Sequence, residues 1–307
     1  PGSQHLRFEG MTASDSGECD MTVLDNIPTR LTNTERDQLH AQLERDGFVV
    51  LPRKLPSDLM AAVLDAIDRI SAAERQKDRR VQSVKVANCV DLDRAFRRLM
   101  LYEPALQLAY DAFGPMFHLN QSNFISRVKE ADQDAARKDF AASIDWHADG
   151  PRPGLFPRVD GVMGLHYLKF GYFLTDLTHV GGGALQVIRG THRHDELDGK
   201  KRGFIVNDYA NDLVEFTVEA GSVVAFHQAL WHAAMPNQSD VERKNVYISY
   251  CPTWMRPLDR EFPTEADLAG LSPEERWLLG EPRPALRWWL PQGDDATRMN
   301  RFAPDPA

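Results

Sequence analysis

The chain has 307 residues, of which 42% are hydrophobic and 26% charged, a balance typical of a globular protein and not of a disordered chain. Its net charge of −9 disfavours non-specific nucleic-acid binding, because the protein and the phosphates would repel each other. The sequence contains no run of 18 apolar residues, and its three cysteines lie too far apart for a disulfide framework or a zinc site. We therefore expect a soluble, cytoplasmic protein without nucleic-acid or membrane partners. Its oligomeric state stays open.

The N-terminal segment has little pattern. Residues 1–10 (PGSQHLRFEG) precede a methionine and lack the apolar core of a signal peptide, so we interpret them as a vector-derived remnant. The rest of residues 1–30 is polar and unpatterned, which predicts a flexible lead-in. Because residues 31–307 contain neither an evident repeat nor an evident linker, we expect them to form a single domain.

Helices are predicted in the first third of the chain. The first begins with the capping box Thr32–Glu35 and ends at Gly47, which supplies a left-handed stop. A second begins at Ser57 and keeps apolar residues at helical spacing. A third follows Pro104 and ends at Gly114.

Short apolar runs dominate the rest of the chain, separated by turn signals rich in glycine, asparagine and proline. The predicted strands are Phe48–Leu51, Met116–Val128, Val162–Leu174, Ala184–Ile188, Leu213–Val218, Ser222–Phe226 and Asn245–Cys251. Many short strands without long helices between them indicate an antiparallel sandwich or barrel. Near the C-terminus we expect a helix over Ser272–Leu279 and a Trp288–Trp289 pair that covers the core.

The tripeptide His147-Ala148-Asp149 is the first candidate for metal binding. If it lies in a strand, both side chains point to the same side and can reach one ion. The pattern is weak by itself, since roughly one His-x-Asp tripeptide is expected by chance at this composition. His194-Asp195-Glu196 is a similar tripeptide that we interpret as such an accident.

A second segment of the chain contains the histidines that could complete a metal site with His147 and Asp149. A predicted strand leads into His227 and His232, a turn follows at Pro236, and a return strand begins near Arg243. One histidine from this segment would complete two histidines and one carboxylate on one face of an ion, which suits non-haem Fe(II) and leaves three positions open. Arg243 could hold a carboxylate through two parallel hydrogen bonds, or be a solvated surface arginine.

These motifs resemble the phytanoyl-CoA dioxygenase family of Fe(II)/2-oxoglutarate-dependent oxygenases. The resemblance extends from about Asp46 to Cys251, and its motifs are Trp146–Asp149, Gly182–His192, Gly221–Phe226, His232, Asn237, Ser239 and Arg243. The Gly182–His192 motif differs from the family signature at Arg189, where the family has proline, and at Thr191, where it has serine. Both differences affect a turn and not a metal ligand.

The resemblance implies a mostly β fold with flanking helices, the double-stranded β-helix (jelly roll, cupin-like). It implies that His147, Asp149 and His232 bind Fe(II). It also implies that Arg243 binds the C5 carboxylate of 2-oxoglutarate, with O2 as the other co-substrate. Because family members that halogenate lack the carboxylate at the position of Asp149, the resemblance also argues against halogenation.

Some assignments within the resemblance have alternatives. His227 competes with His232 for the third ligand position, although the family has a non-ligand polar residue there. Gln121 resembles a co-substrate contact of ectoine hydroxylase-like members, and is equally interpretable as an ordinary strand residue. Asn237 and Ser239 are expected to form a turn. The remaining histidines considered, which we expect to be structural or exposed, are His118, His166, His179, His192 and His194, with His192 bonded to its own turn.

The implied reaction is oxidation of an unactivated C–H bond of a small molecule with release of succinate and CO2. Hydroxylation is the simplest outcome, while desaturation, epimerisation and cyclisation stay open. We expect a role in natural-product tailoring, with catabolism of a small acid as the second choice. The alternative function is a cupin-type metal-dependent isomerase or hydrolase, or a non-catalytic binding module. Arg243 discriminates between the dioxygenase and these alternatives, because a protein that does not bind 2-oxoglutarate requires no cation at this position.

The substrate itself is not predicted by these motifs. We expect the polar insert Lys129–Ala142, the loop Pro151–Arg158 and the aromatic C-terminal segment to frame the pocket mouth, since loops between rigid strands commonly determine specificity. Arg152, Arg158 and Lys169 could attract an acidic substrate, or be ordinary surface charges.

Overall fold

The structure is a computed structural model of the chain and describes residues 30–78, 83–130, 146–149, 158–159, 162–179, 181–193, 209–281 and 297–306. Helices within these ranges are α1 (Asn33–Asp46), α2 (Ser57–Lys77), α3 (Arg94–Met100), α4 (Glu103–Phe113) and α5 (Pro273–Leu278). The strands are β1 (Phe48–Val50), β2 (Val84–Ala87), β3 (Phe117–Arg127), β4 (Arg158–Val159), β5 (Val162–Met163), β6 (Leu168–Phe173), β7 (Leu185–Ile188), β8 (Leu213–Glu215), β9 (Val223–His227), β10 (His232–Ala234) and β11 (Arg243–Pro252). Several predicted features lie outside the described residues: the lead-in, most of the polar insert, most of the loop at 151–158 with Arg152, His194 and Trp288–Trp289.

The predicted helix boundaries are confirmed. Helix α1 begins with the capping box, in which the Thr32 side chain accepts from the Glu35 N–H, and ends at Gly47 with φ 83°. Helix α2 begins at Ser57 and buries an apolar stripe. Helix α5 has a second capping box, between Ser272 and Glu275. These ends follow from local side-chain chemistry, so the sequence alone specifies them.

Several short elements were not predicted. Helix α3 has seven residues, too few to establish a helical period, and its start is fixed by Asp93, which accepts a hydrogen bond of 2.7 Å from the Ala95 N–H. Strand β2 has four residues and pairs with the long strand β3 at the edge of the sheet. The predicted strand Val162–Leu174 is two strands, β5 and β6. It is interrupted where the Gly164 carbonyl accepts from the Gln228 side chain.

The larger sheet has six antiparallel strands in the order β1-β9-β6-β11-β3-β2. Strand β11 is central and pairs with β6 on one side and with β3 on the other. The pairing places Gln121, Ser249 and Lys169 side by side across three strands. Directly paired residues have their side chains on the same face of a sheet, so these three face the same way.

A smaller sheet, β10-β7-β8, lies opposite one face of the larger one. Between the two sheets is a buried cluster that contains Phe173, Val224 and Tyr247 from the larger sheet with Leu185 and Val187 from the smaller. The opposite face of the larger sheet packs on the helices in a second, larger core. The site described below opens from the space between the sheets, at the end where His232 begins β10.

None of the helices in the described part of the chain combines the length and the apolar composition that crossing a membrane requires.

Candidate metal and co-substrate site

His147 and His232 are joined through their backbones. Each N–H donates to the other residue's carbonyl, with N–O distances of 3.0 Å and 2.9 Å. This pair is an isolated antiparallel bridge, and the chain bends at Asp149. His147 and Asp149 therefore do not share a regular strand, because the pairing ends after one residue.

The bridge brings three donor side chains together. The His147 Nε2 atom lies 3.8 Å from Asp149 Oδ1, and the His232 Nε2 atom lies 3.6 Å from Asp149 Oδ2. One ligand atom from each residue lies within 4.8 Å of the others. Ligands at right angles and about 2.1 Å from one ion lie roughly 3 Å apart, so small side-chain shifts would bring these atoms around a metal.

The tautomer of His232 is fixed by its surroundings. The ring is buried, and its Nδ1 atom lies 2.9 Å from the Leu230 carbonyl oxygen. A carbonyl only accepts hydrogen bonds, so Nδ1 carries the proton and Nε2 keeps its lone pair. That lone pair faces Asp149, which is the orientation a metal ligand needs.

Burial and charge keep the three donors deprotonated at neutral pH. Burial would raise the pKa of Asp149, but the Lys169 ammonium and the two histidines lower the pKa to about 2. Burial lowers the pKa of His232 to about 4, against a smaller opposing effect of Asp149. Burial also lowers the pKa of His147. Two neutral imidazoles and one carboxylate are the protonation states that bind a divalent ion.

His227 lies apart from this group. It ends β9, and its Nδ1 atom accepts a hydrogen bond of 3.0 Å from the Ala229 N–H. Its ring packs against His192, with ring centroids 5.0 Å apart. Of the two candidates for the third ligand, the structure brings His232 and not His227 to His147 and Asp149.

Arg243 begins β11 and is buried, with 1% of its surface exposed, so the surface alternative was wrong. Its Nη1 atom donates to the Gly183 carbonyl and, at 3.4 Å, to the Met235 carbonyl. The Nε and Nη2 atoms are buried without a hydrogen-bond partner among the described residues. A buried guanidinium with two unpaired donors on one edge fits a carboxylate that none of the described residues supplies.

The turn before β11 and the turn before β7 hold this arginine in place. The Asn237 side chain donates to the Arg127 carbonyl at 3.0 Å and to the Val241 carbonyl at 2.8 Å. The Ser239 hydroxyl and backbone N–H both donate to the Asn237 side chain, so both residues form a turn as predicted. Gly183 has φ +76°, and a Cβ there would lie 3.2 Å from the arginine Nη1, so only glycine fits comfortably.

The comparisons with known proteins are consistent with this geometry. Residues 43–245, more than half of the chain, match the family described as phytanoyl-CoA dioxygenase (PhyH). The chain belongs to this family. A curated relative from Aspergillus fumigatus, Dioxygenase af480, is 26% identical over 275 residues, which cover 84% of this chain and 80% of the relative. The predicted family is thus confirmed, and the enzyme is a 2-oxoglutarate-dependent dioxygenase.

Solved structures show the same fold. The epimerase SnoN, in complex with Fe3+, alpha ketoglutarate and nogalamycin RO, is 21% identical with a TM-score of 0.56, over 73% of this chain and 87% of that one. HygX from Streptomyces hygroscopicus, with nickel and 2-oxoglutarate bound, is 18% identical with a TM-score of 0.55, over 78% and 94%. The carbocyclase SnoK is 20% identical with a TM-score of 0.54, over 74% and 87%. The predicted mostly β, jelly-roll fold of the dioxygenase is confirmed.

Gln121 lies on the same face of the sheet as Lys169, because both pair with Ser249. It is half-buried, and its position on this face suits a contact with a co-substrate beside the metal donors. This position does not by itself distinguish a co-substrate contact from an ordinary strand residue, so the role of Gln121 in the dioxygenase stays a prediction.

Lys169 is not the surface charge that its residue type suggested. It is 8% exposed, and its ammonium contacts Asp149 Oδ2. The available signal was a single lysine within the otherwise uncharged strand LKFGYF. Arg158 has only its backbone described, in β4, so an acidic-substrate role for it stays a prediction.

The other histidines of the dioxygenase have structural contacts. His118 Nε2 lies 2.9 Å from the Met255 carbonyl, and His166 Nδ1 accepts from the Gln228 side chain at 3.2 Å. His179 lies 3.8 Å from Asp176. His192 differs from the prediction: its Nε2 atom lies 3.0 Å from the Glu44 carbonyl at the end of α1, and not in its own turn.

Proposed function

We propose that this dioxygenase binds Fe(II) through His147, Asp149 and His232, binds 2-oxoglutarate through Arg243, and hydroxylates an unactivated C–H bond of a small molecule. The observation that carries the proposal is the Arg243 guanidinium, buried with Nε and Nη2 unpartnered among the described residues. Leaving these donors unpaired is unfavourable unless a ligand completes them.

The donor set fits Fe(II) with its co-substrates. Two neutral imidazoles and one carboxylate occupy one face of an ion and leave three positions, enough for a chelating 2-oxoglutarate and for O2. Fe(II) with both co-substrates supplies the oxidant that breaks a C–H bond, with release of succinate and CO2. The protein residues hold the reactants in place and exclude water.

Arg243 contributes orientation as well as charge. Its Nη1 edge is bound to the Gly183 and Met235 carbonyls, so the other edge, Nε and Nη2, is fixed toward the incoming carboxylate. A guanidinium that is already oriented loses little further freedom on binding. Gln121 would contact the same co-substrate from β3.

Two of the structural neighbours support a class of substrate. SnoN is described as an epimerase and SnoK as a carbocyclase, both from nogalamycin biosynthesis, and this supports a role in natural-product tailoring for this chain as well. Both names also describe outcomes other than hydroxylation. We propose hydroxylation because it needs no substrate geometry beyond a C–H bond near the iron. A cytoplasmic location stays a prediction from composition.

Succinate formation tests the proposal. The purified protein is incubated with Fe(II), 2-oxoglutarate and O2 together with candidate natural products, and succinate is quantified with each component omitted in turn. We expect succinate only with all three, at a rate that rises with a true substrate. Succinate formation that does not depend on Fe(II) or O2, or no binding of 2-oxoglutarate under anaerobic conditions, would contradict the proposal.

A further inference from the structure

Lys169 is a charged side chain that contacts one of the three candidate ligands, Asp149, and the family motifs assign it no role. It is the second residue of β6, where its neighbours Leu168 and Phe170 face the larger core packed on the helices. Side chains alternate along a strand, so Lys169 faces the space between the sheets. Only 8% of its surface is exposed, and a lysine is seldom buried to that extent unless its charge is paired.

The ammonium is held from three sides. It contacts Asp149 Oδ2, and it lies over the rings of Phe226 and Tyr247, at 5.7 Å and 5.5 Å from their centroids. Gly171 makes this arrangement possible, because a Cβ there would lie 3.0 Å from the Tyr247 ring. Two aromatic faces and one carboxylate leave the ammonium little freedom to move away.

The two oxygens of Asp149 therefore have different surroundings. Oδ2 contacts the Lys169 ammonium and lies 3.6 Å from His232 Nε2, while Oδ1 is the oxygen nearer to His147, at 3.8 Å from its Nε2. The Asp149 backbone is fixed as well, since the Tyr167 hydroxyl donates to its carbonyl at 2.5 Å. The carboxylate is thus held in one orientation by contacts that do not involve a metal.

We propose that Lys169 is a positioning residue that holds Oδ2, so that Asp149 binds Fe(II) through Oδ1 alone. This inference rests on the proposed function. A carboxylate that binds through both oxygens takes one more position on the ion, and all three open positions are needed for 2-oxoglutarate and O2. A lysine that only balanced the charge of Asp149 would not affect how many positions stay open.

The test compares wild type with Lys169→Met and Lys169→Arg by anaerobic titration of 2-oxoglutarate into the Fe(II) protein, followed by the metal-to-ligand charge-transfer absorbance. We expect Lys169→Met to keep its iron but to bind 2-oxoglutarate about tenfold or more weakly, with a shifted absorbance maximum. Lys169→Arg keeps a donor and a positive charge, and we expect it to restore most of the affinity and the wild-type maximum.

Lys244→Met is the matched control. Lys244 is also a strand lysine paired with an aspartate, Asp68 on α2, at 2.5 Å from its Nζ atom, and it lies away from the candidate ligands. We expect this variant to titrate like wild type.

An unchanged affinity and maximum in Lys169→Met, or an equal loss in Lys244→Met, would overturn the inference. If wild type itself does not bind 2-oxoglutarate, the proposed function fails instead. If Lys169→Met does not fold, Lys169→Leu, which is also neutral and lacks a donor, is titrated with the same two criteria.

Discussion

Replacing Arg243 by alanine removes the buried guanidinium and nothing that touches the candidate metal ligands. Within the protein, the substitution removes the hydrogen bonds from Nη1 to the Gly183 and Met235 carbonyls. It also removes Nε and Nη2, the donors that are unpartnered among the described residues and would bind a ligand. We therefore expect a large decrease in 2-oxoglutarate affinity while the affinity for Fe(II) stays nearly unchanged.

The magnitude follows from the kind of contact. Each hydrogen bond to a charged group contributes about 1.5–3 kcal/mol, and loss of one partner of a buried charged pair typically weakens binding by about 2–5 kcal/mol. This corresponds to an increase of about thirty-fold to several-thousand-fold in the dissociation constant. Arg243→Lys should recover only part of the affinity, because an ammonium cannot make two parallel hydrogen bonds.

Substitution of Arg243 should affect 2-oxoglutarate binding and the stability of the protein in different ways. Burial lowers the pKa of Arg243 to about 10, so the guanidinium stays charged at neutral pH but its burial lowers the stability of the protein when no anion is bound. Arg243→Met, which keeps much of the volume without the charge, should therefore unfold at a temperature no lower than wild type when 2-oxoglutarate is absent.

The assay is the anaerobic titration of 2-oxoglutarate followed by charge-transfer absorbance, with thermal unfolding measured on the same preparations. Wild-type affinity in Arg243→Ala would refute the assignment of this residue to the co-substrate. A parallel decrease in Fe(II) binding would also refute the reasoning, because it would mean that the guanidinium supports the metal site.

Three other substitutions or conditions probe the site and its surroundings. His232→Ala should abolish Fe(II) binding and succinate formation while His227→Ala keeps metal binding, measured by iron content after dialysis; the reverse result would exchange the two assignments. In the metal-free protein, the pKa values of His227 and His232 are lowered from 6.5 to about 3 and about 4, so below pH 6.5 the unfolded chain binds protons that the folded protein does not. The free energy of unfolding should then fall between about pH 6.5 and pH 4, by about 1.4 kcal/mol per pH unit for each histidine, and urea denaturation of His227→Gln should show a slope reduced by one proton. Gly183→Ala should weaken 2-oxoglutarate binding, because its Cβ would crowd Nη1 of Arg243 and the Met235 carbonyl at 3.2 Å and 3.1 Å; unchanged affinity would show that the arginine can shift freely.

Local signals predicted the framework well. The start of α1 at Thr32 and its end at Gly47 depend on residues within one turn of each helix end, so they are readable from sequence. The strand pattern likewise predicted the class of fold, because each strand is a short apolar run bounded by turn residues and can be read from its own segment. The arrangement of the candidate ligands could not be predicted from such local signals, because His147 reaches His232 only through a pairing between distant parts of the chain.

The features that were missed depend on such distant pairings. Lys169 is buried because β9 and β11, which contribute Phe226 and Tyr247, flank β6 in the sheet. The sequence of a single strand does not specify which strands will be its neighbours. His192 bonds to the end of α1 for the same reason, since the chain brings two remote segments together there.

The backbone bridge between His147 and His232 has a consequence for how the protein is held together. The two hydrogen bonds close a long loop before any ion binds. Closing a loop reduces the freedom of the chain, but a second link between the same two residues restricts it little further. An ion held by both imidazoles would bind across a loop that these hydrogen bonds already close, so little of its binding energy would be offset by a further loss of chain freedom.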